Sequence, residues 1–281
     1  MKLLSSEDKY KLYRPKKFLG QNFLVDDNIS RKIVSSIEAG ENDIVIEIGP
    51  GQGALTKHFI KSCLYFVAVE IDASVVMMLK EKYGHGLNLL NEDFLKFDFG
   101  KVFKLFSVSV KAGVAERKLK IIGNIPYNIT SEILFKIIDS DTEIDSAVIM
   151  VQKEVSARIT AKPGTKQYGI LAVQIQAFAD VRALFDVPPT AFFPKPDVYS
   201  TVIKLVINKH KYQINDRENF RSVVRTAFGK RRKTLRNSLK ELFQEKNIDE
   251  KDIPLDFTRR PETLTVGEFV LIANILPQIK R

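Results

Sequence analysis

The segment IIGNIPYNIT, residues 121–130, places an amide, a proline and a phenol within four positions. The side-chain oxygen of Asn124 and a main-chain carbonyl of the Ile125–Pro126 turn are two hydrogen-bond acceptors on a short loop, which Pro126 stiffens by fixing its own φ. Two such acceptors suit an aromatic exocyclic amine. The lone pair of an amine such as adenine N6 is delocalised into the ring, so the nitrogen is a poor nucleophile until its protons are held and it becomes more pyramidal. Tyr127 follows with a ring able to stack on a base held out of a helix. An electrophile that already carries positive charge, such as a methyl sulfonium, needs no strong base before attack, and positioning then supplies most of the rate. Taken alone, the four residues read equally well as an ordinary turn with a packed tyrosine.

Two other segments carry ligand-binding groups. IVIEIGPGQGALT, residues 44–56, runs from a β-branched stretch into Gly49, Gly51 and Gly53 and then a helical start. Glycines there permit positive φ and close approach of a ligand to the backbone, amides at a helix start bind polar groups, and the carboxylate of Glu47 would favour a cationic ligand. The same loop, as Gly49-x-Gly51-x-x-Ala54, satisfies the dinucleotide fingerprint, so a nicotinamide cofactor stays open at this point. In YFVAVEID, residues 65–72, Glu70 ends a second apolar run about 20 residues on, the place where a carboxylate holds ribose hydroxyls in either cofactor class.

The elements that must position these groups alternate. Candidate strands begin at Ile44, Leu64, Leu87, Lys120 and Ala147, and helical spacing fits residues 27–38, 54–61, 73–82, 130–138 and 152–160, the pattern of an α/β domain with a largely parallel sheet. After VPPTAFFPKP (187–196), the run TVIKLVI (201–207) reads as a last strand. Beyond Asn208 the period is helical, with breaks near Gly229, Asn247 and Pro261. The expected organisation is therefore residues 1–208 as an α/β domain and 209–281 as a small all-helical one, with residues 100–118 a long polar connection.

Charge is uneven along the chain. Of the formal net charge of +10, residues 209–281 hold +7, from 17 Lys and Arg against 10 Asp and Glu. Residues 221–236 carry Arg221, Arg225, Lys230, Arg231, Arg232, Lys233 and Arg236 with no acid, interleaved with Val223, Val224, Phe228 and Leu235. Such a surface releases counterions on meeting phosphate and so suits a nucleic-acid partner held with salt-sensitive, sequence-independent affinity, while a solvated face and an acidic protein partner are the alternatives. No apolar run approaches the roughly 20 residues of a membrane span, and the first 18 residues lack the apolar block of an export signal. With a single cysteine, Cys63, the expectation is a cytoplasmic chain, and nothing indicates more than a monomer. His58, His85, His210 and Cys63 are not at metal-ligand spacing, so no metal site is expected, and no nucleophile elbow or lysine-containing phosphate loop is present.

Over nearly its whole length the chain resembles the ribosomal RNA adenine N6,N6-dimethyltransferase family, in particular its small-subunit branch. The resemblance is carried by QNFL (21–24), EIGPGQGALT, VEID, EDFL (92–95), NIPYNIT, QKEVSARI, QYG (167–169), VPPTAFFPKP, FGKRRKTLRNSL and RPETLTVGEF, in order. It implies a Rossmann-like S-adenosyl-L-methionine-dependent methyltransferase domain followed by a helical RNA-binding domain. Carried over motif by motif, it implies that Asn22 and Leu24 contact cofactor, Gly49 and its neighbours pass beneath the methionine portion, Glu70 holds the ribose and Asp93 the adenine amine. Phe94 and Ile71 would sandwich the cofactor adenine. Asn124 would serve cofactor and target alike, with Tyr127 and Phe193 on the two faces of the target base. The implied substrate is a pair of adjacent adenosines in a hairpin loop near the 3′ end of 16S rRNA, in the small ribosomal subunit or its precursor, with a role in subunit biogenesis. A large-subunit adenine methyltransferase and a non-catalytic assembly factor of the same fold are the alternatives. Asp197 and Tyr199 depart from the family's more usual Pro-Lys-Val-Asp-Ser, removing a positive charge from a place suited to a phosphate.

Overall fold

Runs of valine and isoleucine build one mixed sheet, whose arrangement is given by a computed structural model that describes residues 21–106, 117–230 and 232–277. The strands are β1 (Phe23–Leu24), β2 (Ile44–Ile48), β3 (Tyr65–Glu70), β4 (Asn88–Asn91), β5 (Leu119–Asn124), β6 (Ser146–Gln152), β7 (Ala179–Val187), β8 (Phe192–Phe193) and β9 (Ser200–Ile207). Seven form a sheet in the order β4-β3-β2-β5-β6-β9-β7, while β1 and β8 pair separately. The neighbours from β4 through to β6 run parallel, and β9 is antiparallel to β6.

The five parallel strands start within one residue of the expected positions, and the α/β class is as the alternation implies. All five residues of β2 are buried, as expected of a strand covered on both faces. Ile46, Val67, Ile121 and Val148 are fully enclosed, each side chain contributing roughly 1.5–3 kcal/mol by leaving water.

Strand order decides where a ligand can sit. The chain moves outward from β2 through β3 to β4, then returns to the other side of β2 as β5, so the reversal falls between β2 and β5. Ligands of open α/β sheets bind outside the carboxyl ends of strands at such a point. Ile48 lies opposite both Val69 and Gly123, so the residues that follow, Gly49, Glu70 and Asn124, emerge at one level of that edge.

The helices are α1 (Asp27–Ser36), α2 (Thr56–Phe59), α3 (Ala73–Tyr83), α4 (Gly100–Leu105), α5 (Thr130–Asp139), α6 (Lys153–Ile159), α7 (Ile170–Gln176), α8 (Arg217–Gly229), α9 (Leu235–Lys246) and α10 (Val266–Ile275). Asp26, Asp72 and Asp216 cap α1, α3 and α8 by accepting from backbone N–H groups of the first turn. Thr265 and Glu268 form a reciprocal capping box at the start of α10. Of the segment read as a polar connection, residues 100–105 are α4, and residues 107–116 lie outside the described residues.

The chain divides into two compact units. One holds the residues up to Lys153 together with Arg182–Val206; the other holds Glu154–Val181 and the residues from Ile207 onward. A single boundary after residue 208 is thus replaced by a split in which Glu154–Val181 joins the helical unit. The cause is local: five consecutive residues of α7, Leu171–Ile175, are buried, the Gly164 N–H donates to the Glu262 carbonyl (2.6 Å), and Phe178 meets Phe220 edge-on at 6.2 Å. Within this unit Phe228 stacks on Phe269 at 5.6 Å and Tyr168 packs on Phe228.

Candidate active site

The glycine loop after β2 turns through left-handed backbone. Gly49 (φ 59°) donates its N–H to the Val69 carbonyl (2.9 Å), and a Cβ on Gly51 (φ 52°) would lie 2.8 Å from the ring of Phe23. Phe23 belongs to β1, whose partner β8 pairs Phe23 with Phe193 and Leu24 with Phe192. Motifs about 170 residues apart therefore form one small ribbon beside the loop. Beneath lies a cavity of about 290 Å³, lined by Gln21–Leu24, Glu47–Gln52, Val69–Ile71, Glu92–Leu95 and Asn124–Ile129. Of the expected catalytic and cofactor residues, all but Gly53 and Phe193 line it. A Cβ on Gly53 would meet the Tyr83 hydroxyl at 2.9 Å, so Gly53 admits α3 to the back of the loop, whereas Phe193 is 60% exposed on β8.

Glu70 is buried at the end of β3 with its carboxylate fixed: Oε1 accepts the Asp72 N–H (2.9 Å) and Oε2 the Gly51 N–H (3.4 Å). Burial pushes this carboxyl above its ordinary pKa. Each oxygen retains a lone pair for a ligand hydroxyl. Asp93 Oδ1 accepts the Leu95 N–H (2.9 Å), so the residue caps the turn that follows; Oδ2 has no hydrogen bond among the described residues and is left for a ligand donor. Phe94 is buried against Phe97 and Phe99, and Ile71 is 53% exposed.

Glu47 differs from expectation. It is 1% exposed, its Oε2 accepts a 2.6 Å hydrogen bond from Thr56 Oγ1, and burial, with nearby Glu70 adding to it, pushes its pKa up to about 8. At neutral pH the group is mostly protonated and supplies no standing negative charge for a cationic ligand. Because the folded pKa is raised, its contribution to stability is fully present below the unfolded value near 4.5 and is lost as pH rises through about 8. Over that interval Glu47 should cost the fold up to about 1.4 kcal/mol per pH unit. Urea midpoints of the wild type and Glu47→Gln at pH 5 and pH 8 check this: the gap in favour of Gln should widen at pH 8, and an equal gap at both would contradict it.

Asn124 ends β5. Its Nδ2 donates to the Asn22 carbonyl (2.9 Å), and since a carbonyl can only accept, the amide orientation is fixed. The oxygen Oδ1 is thereby left unbonded among the described residues, in a residue that lines the cavity. Ile129 N–H and Thr130 Oγ1 both donate to the Pro126 carbonyl, which holds the turn closed. A Cβ on Gly123 would meet the Ile48 carbonyl oxygen at 2.9 Å, so a glycine lets β5 run this close to β2. The sequence reading missed Gln21 and Phe23 as lining residues, and Ser200, whose hydroxyl bonds that of Tyr127.

In the helical unit the basic stretch is a helix end, a turn and a helix start: α8 closes at Gly229 and α9 opens at Leu235. Three of its cations are paired with acids outside the stretch: Arg221 with Glu218 (3.1 Å), Lys230 with Glu241 (2.9 Å) and Arg236 with Glu250 (2.8 Å). Arg225, Arg232 and Lys233 are exposed and have no acidic partner among the described residues; Arg231 lies outside them.

A parallel sheet reversing at β2 and β5, a glycine loop, a carboxylate ending β3 and an Asn-Ile-Pro-Tyr turn ending β5 define a Rossmann-like methyltransferase. The solved structures agree on the fold: a dimethyladenosine transferase from Plasmodium falciparum matches with a TM-score of 0.71 at 23% identity, covering 89% of this chain and 95% of that one. The 23S rRNA methyltransferase ErmE matches with a TM-score of 0.61 at 23% identity, covering 90% and 99%. Residues 13–278 match the family described as ribosomal RNA adenine dimethylase, and the chain belongs to that family. It is 43% identical over 266 residues, 94% of this chain and 98% of the relative, to the ribosomal RNA small subunit methyltransferase A of Francisella tularensis subsp. novicida.

Proposed function

We propose that this enzyme uses S-adenosyl-L-methionine to dimethylate N6 of two adjacent adenosines in a hairpin loop near the 3′ end of 16S rRNA, within the small ribosomal subunit or its precursor. The observation that carries the reading is the fixed amide of Asn124, whose open oxygen belongs to the cavity where the glycine loop, Glu70 and Asp93 meet. Relatives 42–43% identical over 94% of the chain are named for the small subunit, which supports that substrate over the large one.

The residues fit the cofactor. Glu70 offers two anchored oxygens to ribose hydroxyls, Asp93 Oδ2 accepts from an adenine amine beside Phe94 and Ile71, and the open space beside Gly49, where a Cβ would meet nothing within 4 Å, leaves room for the methionine portion against the backbone. When bound, S-adenosyl-L-methionine supplies a methyl group made electrophilic by a sulfonium. Asn124 Oδ1 and a carbonyl of the Ile125–Pro126 turn accept the two N6 protons, which concentrates the lone pair on nitrogen. The Tyr127 ring holds the base from one face and Phe193 from the other. No side chain has to remove a proton before attack; the proton lost afterward goes to water. Rate enhancement on this account comes from orientation and hydrogen bonding in place.

The helical unit grips RNA through phosphate contacts, to which Arg225, Arg232 and Lys233 contribute as the described cations of residues 221–236 that have no acidic partner. Replacing those three with alanine should reduce the slope of log affinity against log salt by about 2 to 3 and leave cofactor affinity unchanged. A filter-binding salt series on small subunits measures it, and an unaltered slope would return the stretch to a solvated surface. Among the described residues no helix is long and apolar enough to cross a membrane, in keeping with a cytoplasmic enzyme that takes part in subunit biogenesis. Transfer of labelled methyl groups into undermethylated small subunits, with large subunits as the comparison, tests the substrate assignment. Labelling of large subunits would favour a resistance-type enzyme, and tight binding without transfer an assembly factor.

A further inference from the structure

Tyr127 is held at both ends. Its carbonyl accepts from Thr130 Oγ1 (3.2 Å), and its phenol shares a 2.6 Å hydrogen bond with Ser200 Oγ. Ser200 opens β9, has no exposed surface, and lies opposite Gln152 of β6. Its neighbours are tied down as well: the Lys153 N–H donates to the Tyr199 carbonyl (2.9 Å), and Thr201 Oγ1 donates to Asp186 Oδ1 (2.7 Å). Lys153 Nζ in turn pairs with Asp186 Oδ2 at 2.5 Å. The serine hydroxyl therefore stands on a post braced by β6 and β7, on the side of Tyr127 where the ring ends.

A ring kept only for its stacking face has no need of a hydroxyl, since phenylalanine offers the same face without a half-buried polar atom to satisfy. Burial raises the phenol's pKa, so it stays protonated and able to donate through the neutral range. We propose that Ser200 is a positioning residue for methyl transfer, its hydroxyl fixing the plane of the Tyr127 ring so that a stacked base presents its amine to Asn124 Oδ1. This rests on the reading of Tyr127 as the surface on which the target base stacks. Without the bond the ring still stacks, but over a wider range of tilts, and only a fraction of bound bases reach the amide oxygen. The effect falls on the chemical step more than on binding.

A double-mutant cycle in the full-length protein separates the possibilities. Ser200→Ala and Tyr127→Phe should each lower kcat about tenfold with the KM for RNA and for S-adenosyl-L-methionine little changed, and the double variant should fall no further than either, because both remove one bond. RNA carrying 2-aminopurine at the target position should show weaker fluorescence quenching with either single variant than with the wild type. Should Ser200→Ala fail to fold, Tyr127→Phe reads the same bond from its half-buried side. Wild-type turnover and quenching in Tyr127→Phe, beside a slow Tyr127→Ala, would overturn the role of Ser200 while leaving the stacking role intact. Wild-type turnover in Tyr127→Ala would overturn the stacking role itself, and losses that multiply in the double variant would show that the two hydroxyls do not act as a pair.

Discussion

Asn124→Ala should lower methyl transfer by about 10²- to 10³-fold, the scale on which removal of one preorganised hydrogen-bonding group changes an enzymatic rate. The amide is held by a bond from its own nitrogen to the Asn22 carbonyl, so its oxygen needs no reorganisation to meet an incoming amine. Alanine removes that acceptor and also the anchor on Asn22. RNA affinity should be nearly untouched, because Arg225, Arg232 and Lys233 belong to the helical unit. Asn124→Asp is the informative comparison: it keeps an acceptor oxygen but has no N–H for the Asn22 carbonyl, so it should recover only part of the loss. Single-turnover transfer with saturating RNA and cofactor measures both variants, and near-normal turnover in Asn124→Ala would remove the residue from the chemistry.

The second large effect is expected on cofactor binding. Glu70→Ala should raise the Kd for S-adenosyl-L-methionine by about 10²-fold or more, since two hydrogen bonds to a charged acceptor are lost at roughly 1.5–3 kcal/mol each and about 1.4 kcal/mol is a factor of ten. The fold should survive. Burial already makes this carboxylate unfavourable, as its raised pKa records, so the substitution removes a group that costs the fold as well as one that binds ligand. Calorimetric titration with S-adenosylhomocysteine, paired with thermal melting, reads both: a large loss of affinity without a loss of melting temperature is the expected pattern. A parallel loss of both would mean that Glu70 serves mainly to close the Gly51 and Asp72 turns.

The residues that line the candidate site were the most legible part of this chain, because their constraints are local. A glycine forced to φ above 50°, an acid ending an apolar strand and an amide two residues before a proline each leave a mark within a few residues. The parallel strands were legible for the same reason. What sequence reasoning missed depends on distant partners. The exception is β7, Ala179–Val187, where Asp180, Arg182 and Asp186 alternate with apolar residues in the local pattern of an edge strand, a signal that a reading of apolar runs passes over. Helix α7 is buried over five consecutive residues and so lacks the one-sided stripe that marks a surface helix; for that reason the segment Glu154–Val181 did not announce its membership of the helical unit. The acid-free window 221–236 overstated the free charge, since Glu218, Glu241 and Glu250 lie just outside it and neutralise three of its cations. Protonation of Glu47 is likewise a property of burial rather than of motif, and a serine opening a strand gives no sign that its hydroxyl will meet a tyrosine 73 residues away.

Dimethylation by a single site places a demand on the turn around Asn124. After one methyl has been added, N6 retains one proton, so only one of the two acceptors is still engaged while the other must tolerate a methyl group. A stiff proline turn opposite a side-chain amide meets this demand if the amide keeps the remaining proton, which the bond from Asn124 to Asn22 favours by fixing the oxygen in place.

The most direct test is the identity of the product. Small ribosomal subunits lacking the modification are incubated with the enzyme and methyl-labelled S-adenosyl-L-methionine, the rRNA is digested, and the labelled nucleosides are separated and identified by mass. N6,N6-dimethyladenosine in two adjacent positions near the 3′ end of 16S rRNA, lost when Asn124 is alanine, is the predicted result. Label in any other nucleoside, or dimethyladenosine formed equally well by the Asn124→Ala variant, would contradict the account.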